Sequence, residues 1–246
     1  MSKMPRNQFR AGLESGEPQF GSWLGIPDPT AAEIMAGAGF DWLLVDHEHG
    51  AFELSDILAH LRALAAYDVA PLVRPVSGDP ALLKKLCDIG AQSFVVPMID
   101  TAEQAAQVVS AVKYPPEGIR GMGTSLARAA RWNSISGYAG KANDEMCVVV
   151  QAETVTAIEN LEAIAATPGI DGVFIGPSDL SASMGHVGNA AHPEVVETVS
   201  AALRTIRAAG KYAGLLCLDV SMIPHYVECG ASFVGVAVDT LLLGNA

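Results

Sequence analysis

The stretch Asp41–His49, which reads DWLLVDHEH, decides the fold prediction. Its short apolar run, Trp42–Val45, is followed directly by the four polar residues Asp46-His47-Glu48-His49. A non-alternating apolar run of this length is typical of a strand buried on both faces, as in a parallel sheet. Polar side chains that follow such a strand lie at the carboxyl edge of the sheet, where α/β proteins bind their ligands.

The same pattern recurs along the chain, because seven other short apolar runs alternate with helix-like segments. The other predicted strands are Phe20–Ile26, Ala70–Val73, Ser93–Ile99, Cys147–Val150, Gly172–Ile175, Ala213–Leu218 and Phe233–Val238. The predicted helices are Pro29–Ala38, Ser55–Tyr67, Asp79–Ile89, Thr101–Val112, Thr154–Ala166, Pro193–Ala209 and Val220–Cys229. Four of these helices run into a glycine that suits a C′ position, namely Gly39, Gly90, Gly210 and Gly230.

Eight strands alternating with helices predict a (β/α)8 TIM barrel, a single domain over residues 1–246. A doubly wound sheet shares the alternation, but the barrel is favoured because polar residues follow several different strands. Two features are irregular. Residues 113–145 form a long loop with a partial helix of its own, which suggests a functional loop. The segment after the last strand, Thr240–Ala246, is too short for a full closing helix, so this element is either truncated or covered by a partner subunit.

Composition and charge exclude several partners. Half of the residues are apolar, which is enough for a sizeable core. The formal net charge is −12 with no basic stripe, which excludes nucleic acid as a partner. The four cysteines have no CxxC spacing and are interpreted as reduced. Residues 1–10 lack the apolar core of a signal peptide, and no apolar run is long enough to span a membrane, so a cytoplasmic protein is expected.

Two carboxylates follow neighbouring strands, Glu153 after the fifth and Asp179 after the sixth. In a barrel these side chains can meet at the mouth. Two carboxylates, together with water and a chelating substrate, suit a hard cation such as Mg²⁺ or Mn²⁺. The alternative interpretation is that each carboxylate caps the helix that follows its strand.

The second and third strands end in candidate proton-transfer and charge-stabilising groups. Asp46 and His49 lie three residues apart, and a carboxylate beside an imidazole raises its basicity. Arg74 would suit the oxygen of an enolate, where negative charge develops. The alternatives are a hydrogen-bonded surface loop for the first pair and a structural Arg–Asp pair for Arg74. His47 is interpreted as structural.

The stretch Gly176-Pro177-Ser178-Asp179 predicts a strand-to-helix turn. The backbone N–H groups of Ser178 and Asp179 can hold a carboxylate at the start of the helix.

Five motifs in this order resemble the HpcH/HpaI aldolase family over roughly residues 21–243. They are Asp41–His49 (DWLLVDHEH), Pro71–Pro75 (PLVRP), Tyr114–Gly121 (YPPEGIRG), Cys147–Glu153 (CVVVQAE) and Gly172–Ser181 (GVFIGPSDLS). The resemblance implies a carbon–carbon lyase of the class II pyruvate-aldolase type. Such an enzyme reversibly cleaves a 4-hydroxy-2-oxo acid to an aldehyde and pyruvate, or an analogue such as hydroxypyruvate.

The resemblance also implies roles for individual residues. Glu153 and Asp179 correspond to ligands of a divalent metal (Mg²⁺, Mn²⁺ or Co²⁺), with no organic cofactor. Arg74 corresponds to the enolate-stabilising arginine, and His49 with Asp46 to the acid–base dyad, acting directly or through water on the metal. The remaining positions implied to contact the substrate or the water around the metal are Gln151, Gly176, Pro177, Ser178 and Trp23.

The resemblance further implies a homo-oligomer, a trimer-based hexamer. Its family pattern often has glycine where this chain has His47, and a different loop in place of Gly50–Leu54, so the aldehyde remains open. Two alternatives also remain. One is a CoA-thioester lyase of the citrate-lyase or malyl-CoA type, with Arg120, Arg128 and Arg131 as the candidate phosphate-binding cluster. The other is a non-catalytic barrel subunit.

Overall fold

The computed structural model describes residues 3–246, which form one closed barrel of eight parallel strands in sequence order. The strands are β1 Gln19–Leu24, β2 Trp42–Asp46, β3 Ala70–Arg74, β4 Ser93–Val96, β5 Cys147–Ala152, β6 Gly172–Ile175, β7 Tyr212–Leu216 and β8 Ala231–Val238. Because β1 pairs with both β2 and β8, the sheet has no edge. The predicted TIM barrel is confirmed for this range, and the doubly wound alternative is wrong.

Helices surround the barrel, and each of the seven predicted helical segments overlaps at least one of them. They are α1 Gln8–Glu14, α2 Pro29–Ala36, α3 Leu54–Ala63, α4 Pro80–Ile89, α5 Ala102–Val112, α6 Val155–Glu159, α7 Leu161–Ala166, α8 Pro177–Ser183, α9 Pro193–Ala208, α10 Ile223–Glu228 and α11 Asp239–Gly244. Gly90 marks a predicted helix end that the structure confirms. Its φ of 113° caps α4 in the left-handed region, where a side chain would be strained.

Two predicted helices differ from the structure. The predicted helix over residues 154–166 is interrupted at Asn160, whose side chain donates a hydrogen bond of 2.9 Å to the Asp100 carbonyl. The predicted helix Val220–Cys229 begins as a 3-10 helix, Val220–Met222, before α10.

The strand residues alternate between two apolar cores. In β2, Trp42 and Leu44 lie in the core inside the barrel, whereas Leu43 and Val45 pack against the surrounding helices. Successive side chains of a strand point to opposite faces, so the next inward position of β2 is Asp46. The same alternation places Arg74 after Leu72 at the upper end of the barrel. The strands therefore carry apolar layers below and polar side chains at the carboxyl mouth.

Helix α1 was not predicted from the sequence. Asn7 caps it by accepting a hydrogen bond from the Arg10 N–H, and Phe9 and Leu13 are buried. The Phe9 ring lies 5.3 Å from the ring of Phe233 inside the barrel, in an edge-to-face arrangement. Helix α1 thus closes the amino end of the barrel, and the mouth at the carboxyl end is left for chemistry.

The long loop after α5 contains three short 3-10 helices, at residues 128–130, 138–140 and 143–145, in place of the predicted partial helix. All four cysteines are free and buried, as predicted. No helix within residues 3–246 combines the length and hydropathy that crossing a membrane requires.

Candidate active site at the carboxyl end of the barrel

Asp46 and Arg74 form a two-pronged ion pair at the mouth. The two residues are direct neighbours in the register of β2 and β3, and both are buried. Arg74 donates from Nε to Asp46 Oδ1 at 2.8 Å and from Nη2 to Asp46 Oδ2 at 2.6 Å. This planar fork fixes the guanidinium. The third nitrogen, Nη1, donates to no protein acceptor in the described chain, so it remains available to a ligand.

The expected contact between the Asp46 carboxylate and the His49 imidazole is not formed. Asp46 is committed to Arg74, because strand pairing sets the two side by side, and it meets His49 only through the backbone N–H, at 3.4 Å. The His49 side chain is 66% exposed, and its Nε2 lies 3.8 Å from Glu48 Oε2. His49 therefore stands at the rim of the mouth, with Glu48 as its neighbouring carboxylate.

Glu153 is buried just beyond the end of β5, with 2% of its surface exposed. Its Oε1 accepts a hydrogen bond of 2.8 Å from the backbone N–H of Met98, and its Oε2 accepts one from Gln151 Nε2. Burial raises the pKa of Glu153 to about 7 against the effect of these two donors, and the charges of Asp179 and Glu48 raise it further. Because burial disfavours its ionised form, this carboxylate is stabilised when a positive charge binds beside it.

Asp179 lies in the first turn of α8 and is exposed. Burial raises the pKa of Glu48; Arg74 and His49 oppose this, and the charges of Asp46 and Asp179 add to it. Burial alone would lower the pKa of Arg74, but its carboxylate neighbours, Glu153 among them, more than offset this. Charged residues that follow β2, β3, β5 and β6 thus lie near enough to influence one another at the mouth.

The residues at this point fit a hard divalent cation. Two buried oxygens here have no hydrogen-bond partner, Gln151 Oε1 and Glu48 Oε2. Glu48 Oε2 is 3.2 Å from Arg74 Nε, but that N–H is directed at Asp46, so the contact is an ion pair only. Unpaired buried oxygens are costly unless a ligand, ion or water engages them. Carboxylate and amide oxygens are the donors that Mg²⁺ and Mn²⁺ prefer.

The carboxylates at this point form an open arrangement and not a closed cage. Within residues 3–246, Glu48, Glu153 and Asp179 do not form a group whose ligand oxygens all lie within 4.8 Å of one another. A cation held by only two of these carboxylates would keep positions for water and for a chelating substrate.

Gly176 supports Glu153 by lacking a side chain. A Cβ added at Gly176 would lie 2.5 Å from Glu153 Oε2 and 2.9 Å from Gln151 Nε2. We expect Gly176→Ala to destabilise the fold by about 1–3 kcal/mol and to weaken metal affinity at least tenfold, since the added methyl group displaces the carboxylate. Metal titration and thermal unfolding measure both effects. Gly37→Ala is the control, because its Cβ would meet only ordinary contacts at 3.5 Å or more; equal losses in the two variants would contradict the packing argument.

The raised pKa of Glu153, about 7, predicts a pH dependence of the metal-free protein. The unfolded carboxyl ionises near 4.5, so between pH 4.5 and 7 the folded state binds the additional proton. Stability therefore falls as pH rises through this window, by about 3 kcal/mol in total. Urea unfolding of metal-free protein across this range measures the fall. Glu153→Gln should remove this component, and an unchanged pH profile in that variant would contradict the assignment.

Trp23 lies directly below the polar groups. Its ring is 4% exposed and is 5.5 Å from the rings of both Trp42 and Phe174. The Arg74 guanidinium carbon lies 5.7 Å from its ring centroid, within cation–π range. Trp23 thus forms the floor of the mouth below Arg74.

Two groups at the mouth were not among the predicted site residues. Glu48 was recognised only as a polar residue after β2, and its contact with Arg74 follows from the bend of the chain beyond the strand. The backbone N–H of Met98 carries no sequence signal. Met98 has a φ of 56°, a left-handed conformation that is uncommon for methionine, and this directs its N–H to Glu153.

The arginine cluster proposed for CoA phosphates is not at this mouth. Arg120 is buried, pairs with Asp88 at 3.0 Å and lies over the Tyr114 ring. Arg128 donates to the backbone carbonyls of Ile89 and Leu61. Arg128 and Arg131 line a cavity of about 450 Å³ near the amino end of the barrel. These arginines serve the packing of the long loop, so they form no phosphate groove beside the candidate site.

Comparisons with known proteins agree with this geometry. The family model described as HpcH/HpaI aldolase/citrate lyase matches residues 19–246. A hydroxypyruvate/pyruvate aldolase from Pseudomonas aeruginosa is 54% identical over 98% of this chain and 90% of its own length. A 4-hydroxy-2-oxo-heptane-1,7-dioate aldolase from Escherichia coli is 50% identical over 98% of this chain and 92% of its own.

A solved structure gives the same result for the fold. The crystal structure of an HpcH/HpaI aldolase/citrate lyase family protein from Burkholderia cenocepacia J2315 matches with a TM-score of 0.93 and 35% identity. The match covers 97% of this chain and 95% of the other. The resemblance predicted from five sequence motifs is confirmed: the chain is a carbon–carbon lyase that belongs to the HpcH/HpaI aldolase/citrate lyase family.

Proposed function

We propose that this chain is a divalent-metal-dependent aldolase that reversibly cleaves a 4-hydroxy-2-oxo acid to an aldehyde and pyruvate, or a pyruvate analogue such as hydroxypyruvate. One observation carries the proposal. A buried carboxylate, Glu153, lies near enough to raise the pKa of Arg74, whose Nη1 is free, and two unpaired buried oxygens lie at the same mouth. This arrangement suits a cation and a developing oxyanion at the same point. The names of the relatives support pyruvate and hydroxypyruvate as the donor half of the substrate.

We propose Glu153 and Asp179 as the metal ligands, with Gln151 beside the water that completes the coordination. A divalent ion such as Mg²⁺, Mn²⁺ or Co²⁺ supplies Lewis-acid polarisation of the 2-oxo acid when it is bound. Family membership supports a metal cofactor, and the oxygen-rich donor set supports hard cations.

Arg74 stabilises the oxygen on which charge develops when the carbon–carbon bond breaks. The bond between C3 and C4 breaks, its electron pair moves into the 2-oxo group, and the resulting enolate oxygen accepts a hydrogen bond from Arg74 Nη1. Asp46 is a positioning residue, since its fork with Nε and Nη2 directs Nη1 into the mouth. The Arg74–Asp46 ion pair is thus the structural Arg–Asp pair that the sequence offered as an alternative, and it also positions the Nη1 donor for the enolate oxygen.

His49 is the candidate for proton transfer at the rim. We propose that its imidazole accepts the proton of the 4-hydroxyl group as the aldehyde forms, and that a proton is then returned to C3 of the enolate to give pyruvate. In the direction of synthesis the same two proton transfers run in reverse. Its exposure allows exchange with solvent, and the Glu48 carboxylate lies 3.8 Å from its Nε2.

We propose that the substrate contacts the first turn of α8 on one side of the mouth and Trp23 at its floor. Ser178 lies in the first turn of α8, where backbone N–H groups have no acceptor within the helix, and these groups suit the substrate carboxylate. Gly176 and Pro177 shape this turn. The Trp23 ring supports the carbon skeleton from below.

The test of the reaction class is pyruvate release in the presence of Mg²⁺. Several 4-hydroxy-2-oxo acids of different chain length are supplied, and pyruvate is followed with lactate dehydrogenase. We expect release from at least one acid and none from citryl-CoA or malyl-CoA. Cleavage of a CoA thioester without any aldolase turnover would favour the CoA-lyase alternative. Absence of both reactions would favour a non-catalytic barrel.

We propose a homo-oligomer, a trimer-based hexamer, that acts in the cytoplasm. Leu241, Leu242 and Leu243 of α11 are 46–71% exposed, an apolar face that a second copy can cover. The absence of disulfides among the four cysteines supports a reducing compartment. Light scattering after size-exclusion chromatography measures the subunit number, and a monomer would contradict the assembly.

A further inference from the structure

A second group of metal-ligating side chains lies outside the mouth. His186 stands on the segment that follows α8, and His192 and Glu194 stand at the start of α9. Their ligand atoms all lie within 4.8 Å of one another, and this is the one such group of three within residues 3–246. The mechanism proposed above uses none of these residues.

The three side chains already lie in contact with one another. His186 Nε2 lies 2.9 Å from Glu194 Oε2, and the rings of His186 and His192 are stacked with centroids 3.6 Å apart. His192 Nδ1 accepts the N–H of Glu194 at 3.3 Å as the cap of α9. The Nε2 atom of His192 therefore remains free to bind an ion.

We propose that His186, His192 and Glu194 form a second, separate site for a zinc-class divalent ion, with water as the fourth ligand. Two imidazoles and one carboxylate are nitrogen-rich donors, which suit Zn²⁺ and its neighbours in the first transition row better than Mg²⁺. A nitrogen–oxygen separation of 2.9 Å is compatible with two ligands of one ion at bond lengths of about 2.0–2.2 Å.

One rearrangement completes the site. The two rings are nearly parallel, with an angle of 14° between their planes, so their lone pairs do not yet converge. Rotation of His192 about its Cβ–Cγ bond brings Nε2 toward the ion and gives up the 3.3 Å cap hydrogen bond of Nδ1; this torsion has broad energy minima. The side chains are partly exposed, so water exchanges freely during the rotation.

The bound ion would tie the segment after α8 to α9. Helix α8 carries Asp179 in its first turn, and residues 184–192 connect its end to His192. An ion held by both sides of this segment restricts its motion. We expect Zn²⁺ to slow backbone hydrogen exchange in residues 184–192 by at least tenfold.

The test measures the zinc bound by the full chain after the two proposed metal ligands at the mouth have been replaced. In the variant E153Q/D179N, equilibrium dialysis against Zn²⁺ and elemental analysis should find about one ion per chain by the proposed chemistry. Adding H186Q and H192N should reduce this at least tenfold. Asparagine at 192 preserves the helix cap, because asparagine is among the best N-cap residues.

A matched pair of acid variants sharpens the result. E194Q in the same background should lose the ion, whereas E197Q, an exposed glutamate one turn along α9, should keep it. The second site is overturned if all four variants bind equal amounts of zinc, or if E153Q/D179N binds none. The same measurement distinguishes failure of this proposal from failure of the mouth site. If the wild-type chain binds no more zinc than E153Q/D179N, that result counts against the metal site at the mouth and leaves the second site untouched.

Discussion

Glu153→Ala is expected to abolish metal retention and to reduce turnover on the order of a thousandfold or more. The Lewis acid is worth several kcal/mol of transition-state stabilisation, so its loss has an effect of this size. Glu153 is the buried ligand of the proposed pair, held by the Met98 N–H and Gln151. Metal content after dialysis and the rate of pyruvate release measure the two effects.

Controls separate a ligand role from a folding defect. Glu153→Gln preserves the volume of the side chain, and it should lose the metal while the metal-free fold gains stability above pH 7, because a buried charge is removed. Glu159→Gln, on the exposed surface of α6, should retain metal and activity. Normal metal affinity in Glu153→Ala would mean that the ligands are wrongly assigned.

Arg74→Ala is expected to lower turnover by a hundredfold or more while the metal is still bound. Loss of one oxyanion donor costs roughly 2.7–4 kcal/mol in the barrier. The variant also leaves Asp46 buried without its partner, which destabilises the fold by about 3–5 kcal/mol. Steady-state kinetics and metal titration on the same sample distinguish a loss of catalysis from a loss of structure.

Arg74→Lys keeps the charge but not the fork, so it should recover stability and little of the turnover. Asp46→Asn keeps Arg74 but loosens its orientation; turnover should fall while KM changes little, because Asp46 acts through Arg74 and does not touch the substrate. Arg74→Ala with near-wild-type turnover would remove the enolate role from this residue.

Much of the fold could be predicted because it depends on local patterns. The non-alternating apolar runs predict buried parallel strands, and glycines such as Gly90 mark the helix ends. Helix α1 escaped prediction, because its seven residues have only two buried side chains and its place depends on the barrel interior. The interruption at Asn160 depends likewise on a distant partner, the carbonyl of Asp100.

The candidate site was predictable wherever strand alternation determines direction. Asp46, Arg74 and Gln151 continue the inward positions of their strands, so their place at the mouth follows from the sequence. The partner of Asp46 did not follow from sequence spacing, because His49 is three residues away along the chain whereas Arg74 is adjacent across the sheet. The Met98 N–H was beyond prediction, since a left-handed methionine has no sequence pattern.

Pyruvate release by metal-stripped enzyme tests the central claim most directly. The enzyme is freed of metal with a chelator, its metal content is verified, and a 4-hydroxy-2-oxo acid is supplied with and without Mg²⁺, Mn²⁺ or Co²⁺. We expect pyruvate to appear only after a metal is added, and Glu153→Ala to stay inactive with every metal. Undiminished pyruvate release from verified metal-free enzyme would contradict it.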